Sequence, residues 1–126
     1  VVVGTATPRH REVYQLVLAA EEACVASCVQ GATGKELDQL TRQVLDQGDL
    51  SQYFTHGLGH GLGTLVHDSG RLSSTVDQTL EVGQVWTIEP GVYIEGFGGV
   101  RIEDVIVVTD GEPEVLTHFP KELLEL

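Results

Sequence analysis

The sequence predicts an α+β fold in which two helices lead into a run of antiparallel strands. Apolar residues recur at helical spacing in the first third of the chain, from residue 52 the pattern changes to short strand-like runs, and glycine-rich turns punctuate those runs. The first helix begins at Thr7-Pro8, a hydroxyl cap followed by proline at the first helical position. Val13, Leu16, Val17, Ala20, Ala23, Cys24 and Cys28 mark its inner face, which includes Ser27, and Gly31 is expected to stop it. Thr33-Gly-Lys-Glu36 fits a capping box that opens a second helix with the stripe Leu37, Leu40, Val44 and Leu45, ended by Gly48.

Short strands are expected at Gln52–Gly59 and Leu65–His67, and a polar loop over Arg71–Thr79. Val85–Ile88 reads as a strong strand. Tyr93–Glu95, the turn Gly96-Phe-Gly-Gly99 and Val100–Val108 form a hairpin. Asp110-Gly111 turns the chain into a last strand at Glu114–Thr117, and Pro120–Leu126 adds a helical turn.

The 126 residues suffice for one domain with a modest core. Seven basic residues against nineteen acidic ones give a net charge of −12, which argues against a nucleic-acid or anionic-membrane partner. No apolar run is long enough to cross a bilayer and no secretory pattern opens the chain, so a cytoplasmic setting is expected. Cys24 and Cys28 read as small core residues in a reducing compartment. The opening Val1–Val3 reads as a strand cut from a larger sheet, so the chain is expected to be part of a longer protein.

The chemistry concentrates in His56-Gly-Leu-Gly-His60-Gly-Leu-Gly-Thr-Leu-Val-His67-Asp68, which holds three of the five histidines. Glu89 and Glu103 follow. A hairpin centred near Gly96 sets these two glutamates opposite one another, with Cβ atoms about 5 Å apart. Carboxylates that close repel unless a proton or a cation lies between them. A nitrogen ligand with two carboxylates is a donor set for a hydrolytic divalent metal. His67 is an odd step from His60, so a regular strand would turn it away unless Gly61 and Gly63 bend the chain back. Asp68 and Asp104 each follow a site residue and are expected to point elsewhere. His10 and His118 read as surface residues. A single ion could be held by His60, Glu89 and Glu103 with water, whereas a pair of ions needs further carboxylates.

These motifs resemble those of the "pita-bread" metallopeptidases, which comprise prolidase, aminopeptidase P and methionine aminopeptidase. His56-x-x-Gly-His60-x-x-Gly-x-x-x-His67-Asp68 resembles the proline-peptidase signature. Thr87-Ile-Glu89-Pro-Gly-x-Tyr93 and Gly99-Val-Arg101-Ile-Glu103-Asp104 resemble the two blocks that follow it, and Thr64 departs from an aliphatic preference. The ending, Val115-Leu-Thr-His-Phe-Pro120-Lys-Glu-Leu, is similar to that of bacterial Xaa-Pro peptidases.

The resemblance covers essentially the whole chain and implies the C-terminal portion of that fold, residues 1–126 being part of a catalytic domain. It implies His60, Glu89 and Glu103 as ligands of two divalent ions (manganese, cobalt or zinc), with two upstream aspartates completing the set. It implies Glu89 as proton shuttle and His67 as hydrogen-bond donor to the scissile carbonyl. His56, His67 and Arg101 would contact or frame a small peptide substrate with proline at its second position, Tyr93 would support them from behind, and the intact protein would be a homodimer. A methionine-aminopeptidase-like activity and a catalytically inactive binding module are the alternatives.

Overall fold

A computed structural model describes all 126 residues. Thr7 caps α1 (Pro8–Ser27): its hydroxyl accepts the His10 N–H at 3.2 Å, and His10 Nδ1 accepts the Thr7 N–H at 3.1 Å. His10 is thus half of a reciprocal cap rather than a free surface residue, and its ring packs against Phe97 with centroids 4.9 Å apart. The helix ends at Ser27, short of Gly31. Cys28 leaves helical geometry at ψ 55°, and Gly31 supplies the left-handed turn at φ +86°.

The capping box of α2 (Gly34–Leu45) forms as expected between Thr33 and Glu36. Those bonds hold the exposed Glu36 carboxyl below its ordinary range. The inner face of α2 is more polar than its sequence stripe. Leu37 and Leu45 are buried, Leu40 and Val44 only partly, and Asp38 and Thr41 are buried beside them. Arg42 compensates Asp38 with an Nε–H bond at 2.8 Å and lies 4.7 Å over the Phe54 ring. The Cys24 and Cys28 thiols are buried against this layer and are pushed up to about 11 and about 12 by desolvation.

The strands are β1 (Gly59–His60), β2 (Arg71–Leu72), β3 (Val85–Ile88), β4 (Gly91–Ile94), β5 (Gly98–Arg101), β6 (Asp104–Val107) and β7 (Glu114–Val115). β1 pairs with β2, β4 with β5, and β6 lies between β3 and β7, all antiparallel. β1 also runs antiparallel beside β3, through Glu89 N–H to Leu58 O at 2.8 Å and Leu62 N–H to Val85 O at 3.0 Å. Leu58, Leu72, Ile88, Val92 and Ile106 are buried with α1 and α2 residues in one core.

Several expectations are corrected. Gln52–Gly59 is not a strand: a 3-10 turn spans Ser51–Tyr53, and only Gly59 pairs. Leu65–His67 is a bend, because Asp68 N–H returns to Gly61 O at 3.0 Å and closes a loop that no ladder can enter. Arg71–Thr79 is not wholly loop, since Leu72 is buried in β2. The run Val100–Val108 breaks at Ile102–Glu103. The last strand stops at Val115, and the tail is extended: Val2 bonds Leu124 O and Leu126 N–H, so one side of Val2 is paired with the tail. No helix is long and apolar enough to cross a membrane.

Asp104 is buried on the opposite side of β6 from Glu103. It accepts Thr117 Oγ1 at 2.7 Å and Lys121 Nζ at 2.6 Å. Glu21 of α1, 1% exposed, lies beside Asp104, and its Oε1 has no hydrogen-bond partner. Burial first, then the neighbouring Asp104 carboxylate, push Glu21 up to about 8. The folded protein therefore keeps a proton that the unfolded chain releases near 4.5. The stability this proton contributes is whole below the unfolded value and is lost as pH rises through the folded one, on the order of 1 kcal/mol per pH unit between them. Urea midpoints are expected to fall between about pH 5 and about pH 8. Glu21→Gln, which keeps a donor towards Asp104, should flatten that fall; an equally steep fall in the variant would contradict this account.

Candidate active site

The β3–β6 register sets Ile88 opposite Asp104, and the β4–β5 register sets Gly91 opposite Arg101. The two registers agree across the break at Pro90, so Glu89 and Glu103 face one another, as the hairpin spacing predicts. Pro90 donates no ladder hydrogen bond, and the strands part there without losing alignment. The turn closes because Gly96 and Gly98 take φ +75° and +129°.

β1 adds His60 beside this pair. His60 is 8% exposed. Nδ1 lies 3.0 Å from Gly61 O, a group that only accepts, so Nδ1 carries the proton and Nε2 is turned to Glu89 Oε1 at 3.3 Å. A nitrogen lone pair and a carboxylate held that close need a proton or a cation between them. Thr87, opposite His60, accepts the His60 N–H at 3.0 Å and lies 3.2 Å from Glu89 Oε1. The backbones come so close here that a Cβ on Gly59 would sit 1.8 Å from Thr87 O.

His67 reaches the site through the glycine bend. Its ring stands 4.4 Å from that of His60, tilted by 52°, and is otherwise exposed. Arg101 lies between the two carboxylates, with Nε 3.9 Å from Glu89 Oε2 and 3.7 Å from Glu103 Oε2. It donates to Tyr93 OH at 3.4 Å, and that bond with the nearby charges holds it further in the charged form. Tyr93 OH in turn meets His56 Nε2 at 3.2 Å, while His56 Nδ1 faces Gly57 O at 2.8 Å. A directed chain results: Arg101 donates to Tyr93, Tyr93 to His56, and His56 to the backbone. Phe54 stacks edge-on against His56, with centroids 5.0 Å apart.

The structure thus brings His60, His67 and Glu89 into contact and joins Glu103 to them through Arg101. His56 sits at the far end of that chain. Asp68 bonds the Ser69 N–H and Asp104 points to the other face, both away from the site as expected. Thr87 and Phe54 are site residues that sequence reasoning did not single out. The available signal for Thr87 was its strand position two residues before Glu89. The donor chemistry of His60, Glu89 and Glu103 fits a divalent cation, and the proton on His60 Nδ1 is the orientation a ligating histidine needs. The count does not close, because no three donor side chains converge on one point.

The model of metallopeptidase family M24 matches residues 1–110. An Xaa-Pro dipeptidase of Pyrococcus furiosus is 41% identical over 98% of this chain and 36% of its own length. An uncharacterized peptidase of Bacillus subtilis is 47% identical over all of this chain and 36% of its own. Among solved structures, an Xaa-Pro dipeptidase from Bacillus anthracis superposes with TM-score 0.94 at 44% identity, over 98% of this chain and 35% of that one. The chain therefore spans about a third of the length of the relatives it matches.

Gly59→Ala is expected to destabilise the fold by about 2–3 kcal/mol in urea unfolding, because the clash is with backbone rather than with a movable side chain. A loss below about 0.5 kcal/mol would mean that β1 and β3 do not approach this closely.

Proposed function

The chain belongs to metallopeptidase family M24 and has its pita-bread fold, and on that premise we propose that it is the C-terminal part of an Xaa-Pro dipeptidase. The observation that carries this is His60 on β1 beside Glu89, which follows β3 and lies opposite Glu103 just before β6, in a chain over 40% identical to proteins of that description.

His60, Glu89 and Glu103 would hold divalent ions such as manganese, cobalt or zinc, and carboxylates from the rest of the longer protein would complete the shell. The bound ions supply Lewis acidity towards water and the scissile carbonyl. The remaining steps belong to the chain's own side chains. Glu89 has Oε1 held by the Thr87 hydroxyl beside His60, and Oε2 is free to take a proton and pass it to the leaving amine. His67, exposed beside His60, donates to the carbonyl oxygen as charge develops there. Phe54, His56 and Tyr93 form an aromatic wall suited to a proline ring, with His56 fixed by its two hydrogen bonds. Arg101 separates the two carboxylates and ties that wall to them.

In the protein at its natural length, Glu89→Gln is expected to reduce Ala-Pro hydrolysis by at least about a thousandfold while circular dichroism stays unchanged. Wild-type cleavage of Ala-Pro in clear preference to a Met-Ala peptide supports the proline reading, and the reverse preference replaces it with a methionine-directed one. The 126-residue chain by itself is expected to bind manganese only weakly, since only two of its three donors are in contact. Tight uptake of two ions in calorimetry would contradict that.

A further inference from the structure

We propose that Thr87 is a positioning residue that gives the two oxygens of Glu89 different tasks, an inference that rests on the metallopeptidase reading. Thr87 is 3% exposed at the centre of the β1–β3 crossing. Its hydroxyl oxygen lies 3.0 Å from His60 N, 3.2 Å from Glu89 Oε1 and 3.4 Å from His60 O. A hydroxyl accepts through its lone pairs but has one proton to donate. The amide proton of His60 occupies a lone pair. The hydroxyl proton then has two acceptors within reach, a carboxylate and a neutral carbonyl. The carboxylate is nearer and makes the stronger bond, so the proton goes to Glu89 Oε1.

One oxygen atom therefore links the backbone of one candidate ligand to the carboxylate of another. Glu89 Oε1 is held by Thr87 and faces the Nε2 lone pair of His60 at 3.3 Å, where a cation would sit between them. Oε2 has only Arg101 Nε, 3.9 Å away and on an exposed side chain. Without the hydroxyl the carboxylate could rotate about its last bond and exchange its oxygens. With it, Oε1 is the fixed oxygen and Oε2 the one free to hold and release a proton. Thr87 touches neither substrate nor reacting atoms in this account; it acts through Glu89 and His60.

The test compares Thr87→Val, which keeps the branched shape and removes the hydroxyl, with Thr87→Ser, which keeps the hydroxyl and removes the methyl. In the protein at its natural length, Thr87→Val is expected to weaken manganese binding and lower kcat by about 10–100-fold with KM little changed. Thr87→Ser should stay within about threefold of wild type, below the range expected when an outer partner of a ligand is lost. Packing alone would give the opposite order. Wild-type behaviour in Thr87→Val, or equal impairment in both variants, overturns the proposal.

If Thr87→Val does not fold, metal-free wild-type protein decides by NMR. The His60 amide should exchange slowly, and a slowed Thr87 hydroxyl proton should show a nuclear Overhauser contact to the Glu89 methylenes. A His60 amide exchanging like an exposed one overturns it. A wild-type protein that neither binds manganese nor cleaves Ala-Pro removes the peptidase reading, while the same two NMR signals still decide whether Thr87 bridges His60 and Glu89.

Discussion

The antiparallel register of the β3–β6 and β4–β5 ladders is the constraint from which the rest follows. Glu103, just before β6, and Asp104, its first residue, go to opposite faces. Glu103 goes to the site with Glu89, while Asp104 goes inward to Thr117, Lys121 and Glu21. A slip of one residue would exchange those destinations, burying Glu103 among groups arranged for Asp104 and pointing Asp104 at Arg101. The buried polar cluster under α1 therefore serves the site without touching it, because only one register satisfies it.

A second support reaches the site from α2. Asp38 is buried, and Arg42 covers it while lying over Phe54, whose ring stacks on His56. The helix face that sequence periodicity marks as apolar contains instead a charged pair whose outer member, Arg42, lies over an aromatic ring. An apolar pair of the same volume would fill the core as well, but it would not orient Phe54.

Legibility in the sequence followed the range of the interaction. The caps of both helices could be read because each involves residues three apart, Thr7 with His10 and Thr33 with Glu36, although the proton-accepting role of His10 could not. The opposition of Glu89 and Glu103 could be read from one turn, since counting outward from Gly96 fixes a local hairpin. The return of His67 to His60 could be read because the glycines between them permit it. The pairing of β1 with β3 could not: β1 is two residues long and carries no periodic signal, and its partner is far along the chain. Thr87 was hidden for that reason, and the Glu21–Asp104 pair for the same one. An acidic residue within a helical pattern reads as solvent-facing until its distant partner is known.

The site's parts also differ in how soon the chain can bring them together. Glu89 and Glu103 meet when a short hairpin closes, at little entropic cost. His60 arrives through a longer closure across β1, and the ladder between Val2 and Leu124–Leu126 requires nearly the entire chain to be in place. Folding in that order juxtaposes two like charges before His60 arrives, with Arg101, anchored by Tyr93 within the same hairpin, as the cation between them. The nascent hairpin thus carries two carboxylates against one guanidinium, and a cation present during folding would offset the remaining repulsion before the rest of the site assembles.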